Sequence, residues 1–219
     1  MRVWRRRYYD LFSLIYDVII ALHSRDKSAR LRRFLLEKAG LIQGQRLLDI
    51  CTGTGAVALR AGRLLGGAGL AVGVDFSWGM LKKASQKAWE NNVQANFVLA
   101  DVSRLPFQNA RFDVVTCSHA MYELDPATRQ AALLEVRRVL VPGGVFIMME
   151  HMEPSNPLIR LLYNIRLASM GSSENKEFAR DERPFLSQYF DDVVLEVAPG
   201  GRSKIIRGIS PPRDSENMS

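Results

Sequence analysis

Apolar and polar positions along this chain recur with two periods, one near 3.6 residues and one near 2. Tyr8, Leu11, Phe12, Ile15, Ile19 and Leu22 fall at helical spacing, with Asp10, Ser13 and Asp17 off the stripe, and predict an amphipathic helix over 8–22. Leu31, Phe34, Leu35 and Ala39 predict a second over 28–40, ended by Gly40 and Gly44. Short apolar runs then alternate with helical ones. Strands are expected at Leu47–Ile50, Leu70–Asp75, Asn96–Ala100, Phe112–Ser118 and Val145–Glu150. Between them lie helices from Ala56 to Leu65, from Ser77 to about Glu90, and from an Asp125 cap with Pro126 behind it to Leu140, stopping at Pro142-Gly143-Gly144. Leu158, Leu161, Leu162 and Ile165 predict a helix over 154–170, and the polar stretch 171–183 reads as a mobile loop. Val193–Val197 and Lys204–Arg207 flank Pro199-Gly200-Gly201 and predict a terminal hairpin, with 211–219 disordered.

Strand and helix alternating in this way predict an α/β domain with seven strands and a mostly parallel sheet. The 219 residues fit one such domain over 45–210, preceded by a helical cap over 1–44 that is too small for its own core. Charge changes the picture of the cap. The net charge is +7, but residues 1–33 hold nine Lys or Arg against three Asp, which leaves about +1 for the rest. The basicity belongs to the N-terminal arm and suggests an anionic membrane surface, contacted peripherally, or a nucleic acid, with a solvated, solubilising face as the alternative. The longest apolar candidate, Leu11–Leu22, spans 12 residues and contains Asp17, too short to cross a bilayer. Arg5-Arg6-Arg7 precedes it, but a charge-free apolar stretch and a small-residue cleavage site are missing, so it does not read as a signal peptide. Cys51 and Cys117 suit neither a metal cluster nor a disulfide framework, so no metal is expected and a reducing, cytoplasmic compartment is.

The chemistry gathers at Leu47-Leu48-Asp49-Ile50-Cys51-Thr52-Gly53-Thr54-Gly55, a buried strand closed by an acid, then a glycine turn into a helix. Gly53-x-Gly55-x-x-Ala58 also fits a dinucleotide fingerprint. Asp49 decides between the readings. A dinucleotide sets a pyrophosphate at the helix N-terminus, and a carboxylate four residues before the first glycine would repel it. S-adenosylmethionine carries an ammonium and a sulfonium instead, both of which favour an acid nearby. Asp75 and Asp101 close the next two strands, and in an open parallel sheet such ends face one crevice. Asp75 can take both ribose hydroxyls, Asp101 the adenine amino group, and Phe76 can pack against either ring.

Val72-Gly73-Val74-Asp75-Phe76-Ser77-x-Gly79-Met80-Leu81, Ala100-Asp101-x-x-x-Leu105-Pro106-Phe107 and Arg138-Val139-Leu140-x-Pro142-Gly143-Gly144 resemble motifs of the class I S-adenosylmethionine-dependent methyltransferases. The group that shares them includes the ubiquinone and menaquinone biosynthesis C-methyltransferases. Ile15-Tyr16-Asp17 and Glu150-His151-x-x-Pro154 are similar to that group too. The resemblance implies a Rossmann-like sheet with helices on both faces and an antiparallel final strand. It implies S-adenosylmethionine as cofactor, with Asp49 toward the methionine ammonium and Thr52, Gly53, Gly55, Asp75, Phe76, Met80, Asp101, Val102 and Ser118 around it. Tyr16 would lie over the cofactor.

Methyl transfer asks for alignment and sometimes for removal of a proton from the acceptor. His119 and His151 follow strand ends and, with Tyr16, are the candidate catalytic residues; Tyr122 and Glu123 are further candidates. The expected acceptor is small and lipophilic, a quinone precursor first and a phospholipid or other N- or O-acceptor second. An NAD-dependent oxidoreductase is disfavoured by Asp49, and a cofactor-binding protein without catalysis is the remaining alternative. Nucleic acid is not expected as a partner, because no Asp- or Asn-Pro-Pro-aromatic motif follows the fourth strand and the aromatics are not interleaved with basic residues.

Overall fold

A computed structural model describes residues 27–152 and 181–212. The helices expected over 8–22 and 154–170, Tyr16, and the tail from 213 lie outside the described residues. The elements run α1 (Lys27–Lys38), β1 (Arg46–Ile50), α2 (Ala56–Leu65), β2 (Leu70–Asp75), α3 (Trp78–Glu90), β3 (Asn96–Leu99), β4 (Phe112–Ser118), a 3₁₀ turn (Met121–Glu123), α4 (Pro126–Val139), β5 (Leu140–His151), a short α5 (Arg183–Leu186), β6 (Asp191–Val197) and β7 (Ser203–Ile209). The seven strands form one sheet in the order β3-β2-β1-β4-β5-β7-β6. Neighbours from β3 to β5 pair in parallel, and β7 runs antiparallel between β5 and β6. The order reverses between β1 and β4, so the C-terminal ends of the parallel strands open on one crevice there.

The caps read from sequence are in place. Ser77 Oγ accepts from the Met80 amide at 3.3 Å and Asp125 Oδ1 from the Thr128 amide at 3.0 Å. Two expectations need correction. Pro142-Gly143-Gly144 is not a break between α4 and a later strand. β5 already begins at Leu140, opposite Phe112, and the residues around Gly143 bulge before the ladder resumes at Val145 opposite Val114. The bulge is kept in the sheet by β7's end, where the Gly143 amide donates to Ser210 O and the Ser210 amide to Gly144 O. The second correction concerns Glu182, read as part of a mobile polar loop. It is fully buried, 2.7 Å from Lys204 Nζ.

Alternation along the strands sends side chains to two cores. On one face Leu48, Ile50, Val115, Cys117, Met148 and Ile206 pack against α4 and the α5 segment. On the other, Leu47, Val114, Ile147, Met149 and Ile205 pack against Leu35, Leu36 and Ala39 from the end of α1 and Val57 and Ala61 of α2. Full burial of a Leu is worth about 2 kcal/mol, so α1 is fastened to the sheet by its own core residues. Among the described residues no helix is long and apolar enough to cross a membrane.

Candidate active site

The glycine turn after β1 is a hydrogen-bonded loop clasped by two carboxyls. Gly53 and Gly55 have φ of 55° and 79°, a backbone region that side chains disfavour. A Cβ on Gly55 would sit 2.8 Å from Ala84 Cβ and from Phe97. A Cβ on Gly53 would meet nothing within 4 Å, so the main chain there faces open space that a ligand can approach. Gly73, opposite Asp49 on β2, leaves room for Thr52, whose side chain would lie 2.8 Å from an added Cβ.

Asp49 is almost fully buried. Its Oδ2 accepts from Thr52 Oγ1 at 2.6 Å and its Oδ1 from Thr116 Oγ1 at 2.7 Å. Burial pushes its carboxyl up to about 6, and Asp75 adds to this; the two hydroxyls and the Arg32 charge on α1 pull the other way. Asp75 has a double task. Its Oδ2 accepts from the Gly53 amide at 2.9 Å and its Oδ1 from the Ser77 amide at 2.9 Å, so the end of β2 fixes both the glycine loop and the start of α3. Asp101 Oδ1 accepts from Ser103 N at 2.9 Å and Ser103 Oγ at 2.6 Å, closing the turn after β3. Phe76 is partly exposed, 37%, beside this group, whereas Met80 and Val102 are buried and Ser118 is half-buried at the end of β4.

The other side of the crevice is built from imidazoles. His119 follows β4 with φ of 55°, its amide donates to Met149 O at 2.7 Å, and its ring stacks on that of His151 at 4.2 Å between centroids. Tyr122 meets His151 edge-on at 5.9 Å. Burial lowers the His119 pKa to about 3, helped by the charges of His151 and Arg32, so the ring is neutral at ordinary pH. Its Nδ1 is buried without a hydrogen-bond partner among the described residues. Cys51 and Cys117 are free thiols on neighbouring strand ends, with Ile50 opposite Cys117 in the ladder.

The sequence reading passed over Thr116 and Arg32. Thr116 was legible only through register, because it lies directly opposite Asp49 once β1 pairs with β4. Arg32 carried no local signal, since its effect on Asp49 and His119 depends on where α1 docks.

A family model described as a methyltransferase domain matches residues 47–144. The ubiquinone/menaquinone biosynthesis C-methyltransferase UbiE of Pseudomonas paraeruginosa is 34% identical over 218 residues, covering 90% of this chain and 84% of its own. The chain belongs to the class I S-adenosylmethionine-dependent methyltransferases. The Azotobacter vinelandii UbiE is 36% identical over 135 residues, which is 61% of this chain and 53% of the Azotobacter protein. The match to that relative thus spans about half of its length. A crystal structure of a SAM-dependent methyltransferase from Aquifex aeolicus superposes with a TM-score of 0.66 over 89% of this chain and 97% of that one, at 17% identity, which speaks for a shared fold. The seven-stranded, mostly parallel sheet described above is the fold that this comparison shares.

Proposed function

We propose that this chain transfers a methyl group from S-adenosylmethionine to a small, lipophilic acceptor of the quinone-precursor kind. The observation that carries the reading is the glycine loop, open at Gly53 and held between the carboxyls of Asp49 and Asp75. When bound there, S-adenosylmethionine would supply the electrophilic sulfonium methyl. Asp49 would hold the ammonium, Asp75 the ribose hydroxyls and Asp101 the adenine amino group. Thr52, Gly55, Met80, Val102 and Ser118 would shape the walls, and Phe76 would cover a ring. The ammonium draws Asp49 into its ionised form, since an opposite charge nearby favours the carboxylate.

His119, His151 and Tyr16 would serve the acceptor. A neutral His119 with a buried, unpartnered Nδ1 suits an acceptor that brings a hydroxyl donor, as a phenol does. The stacked rings and Tyr122 offer a flat apolar wall to a planar ring. Residues 1–24 would cover the acceptor and touch an anionic membrane, drawing on their basic charge and apolar stripe.

Incubation with methyl-labelled S-adenosylmethionine and a lipid extract tests the proposal. The expected labelled product is a methylated quinone precursor. A labelled phospholipid would replace the acceptor class, and no labelled product from any extract would favour cofactor binding without catalysis.

A further inference from the structure

Across the sheet from the histidine pair lie three buried ionisable side chains that the proposed chemistry does not use. Glu150, Glu182 and Lys204 are 2%, 0% and 2% exposed. Glu150 on β5 and Lys204 on β7 are direct partners in the antiparallel ladder, so their side chains leave the same face. That face carries Met148 and Ile206, whereas Met149 lies on the face of Asp49 and α1. Lys204 Nζ is 2.7 Å from Glu182 Oε2, close enough for an ion pair though not aligned as a hydrogen bond. Glu150 Oε1 accepts from the Met121 amide at 3.0 Å; its Oε2 is buried without a hydrogen-bond partner among the described residues.

Two carboxyls facing one ammonium in an interior site cannot both ionise cheaply, and the one without the cation takes the proton. Glu182 has the cation. We propose that Glu150 is a positioning residue for the acceptor side of the crevice: a neutral carboxyl, buried beside the Glu182 carboxylate, which fixes the turn carrying His119 and Tyr122 through the Met121 amide. The inference rests on the reading that the ends of β4 and β5 receive the acceptor. Met121 follows His119 by two residues and Glu150 precedes His151 by one, so a single carboxyl ties both histidine backbones together. The turn is gripped from its carbonyl side as well, where buried Arg129 donates from Nε to Met121 O at 3.1 Å and from Nη2 to Leu124 O at 2.9 Å. The charges around Glu150 agree with the assignment. Burial and Glu182 push its carboxyl well up, the Met121 amide lowers it, Glu123 of the turn raises it and Lys204 lowers it.

Glutamine mimics the neutral acid, so Glu150→Gln separates positioning from base catalysis. Infrared difference spectra of wild type against Glu150→Gln are expected to show a protonated-carboxyl C=O band, at neutral pH, lost on substitution. Ring NMR signals of His119 are expected to stay in place in Glu150→Gln and to shift in Glu150→Ala. These two readouts need no acceptor, so they decide the inference even if the acceptor class is wrong. With an acceptor in hand, Glu150→Ala is expected to raise its KM about tenfold, the loss of one buried hydrogen bond. S-adenosylhomocysteine affinity should hold, and glutamine should rescue the KM with an unchanged pH profile. Loss of a carboxylate band instead of the acid band would overturn the proposal. So would a folded Glu150→Gln with wild-type His119 signals but no turnover, which would make Glu150 a base.

Discussion

Asp49 and Glu150 are both buried carboxyls near strand ends, they project from opposite faces of one sheet, and they are kept in opposite ways. Asp49 has a hydroxyl on each oxygen and Arg32 within electrostatic reach, so burial lifts it only to about 6. Glu150 has one amide, a bare second oxygen and the Glu182 charge against it. The first is an acid that a cationic ligand can ionise at little cost. The second is an acid that serves as a neutral scaffold. Hydroxyl donors favour the anion, whereas burial with few donors and a second carboxyl nearby disfavour it. On the proposed reading, the difference would divide the crevice into an end that answers a charged cofactor and an end that receives an uncharged acceptor.

The largest expected effect falls on the scaffold end. Lys204→Met leaves the Glu182 carboxylate buried without its cation. Breaking such a pair is expected to cost about 3–5 kcal/mol, read as a fall of roughly 10 °C in melting temperature. Cofactor affinity of the remaining folded protein should be unchanged. A variant that melts like wild type would mean that the ion pair carries no energetic weight and that the two ends differ less than described.

Asp49→Asn comes next and should pull function and stability apart. Its carboxyl is raised from 3.8 to about 6. Its stabilising contribution is therefore complete below 3.8 and is lost as pH rises through about 6. At neutral pH the wild type bears the full penalty, up to about 3 kcal/mol from a shift of this size. Asn removes that penalty, so the empty variant should melt higher at neutral pH and gain nothing below about pH 4. The same change should weaken S-adenosylmethionine binding by about 1.5–3 kcal/mol, the worth of a charge-assisted hydrogen bond. Calorimetry finding tighter cofactor binding in Asp49→Asn would reverse the assignment of this carboxyl.

Much of the glycine-loop end of the crevice was legible in sequence because its pattern is local. Asp49, Asp75 and Asp101 each close a strand, and Gly53 and Gly55 announce a turn, so chain order alone gathers them at one edge of a parallel sheet. The strands themselves were read closely, with Leu70–Asp75 and Phe112–Ser118 as observed. What was missed depends on docking. Thr116 becomes a partner of Asp49 only through the β1–β4 register, and Glu182 meets Lys204 only when the turn before α5 packs on β7. A glutamate in a run of charged residues looks solvated, and nothing local says that a lysine from a later strand will bury it. The bulge at Gly143 was hidden for the same reason, since the chain stays in the sheet by bonding to the far end of β7.

Asp75→Asn tests whether the loop or the ligand depends more on that side chain. Asparagine keeps one acceptor oxygen where the carboxylate serves both the Gly53 and Ser77 amides. Cofactor affinity is expected to fall by about 1.5 kcal/mol, with a smaller loss of stability, measured by calorimetry and thermal melting on the same sample. A large fall in melting temperature with affinity intact would make Asp75 a brace for the glycine loop alone.

The smallest expected effect concerns the histidine end of the crevice and its acid sensitivity. His119 is lowered from 6.5 to about 3, mainly by burial. A base kept neutral in the folded state contributes stability above 6.5 that is lost as pH falls from there toward 3, because the unfolded chain takes up the proton and the folded one does not. His119→Phe keeps a ring to stack on His151 and removes the titration. At about pH 5.5, one unit below the ordinary value, the variant should lose about 1 kcal/mol less stability than wild type relative to neutral pH. The direct measurement is the ring NMR signal of His119, which should stay that of a neutral imidazole from about pH 7.5 to 4.5. A midpoint near 6.5 would mean that water reaches the ring. The unpartnered Nδ1 would then be solvated, and the case for an acceptor hydroxyl bonded there would lose its geometric support.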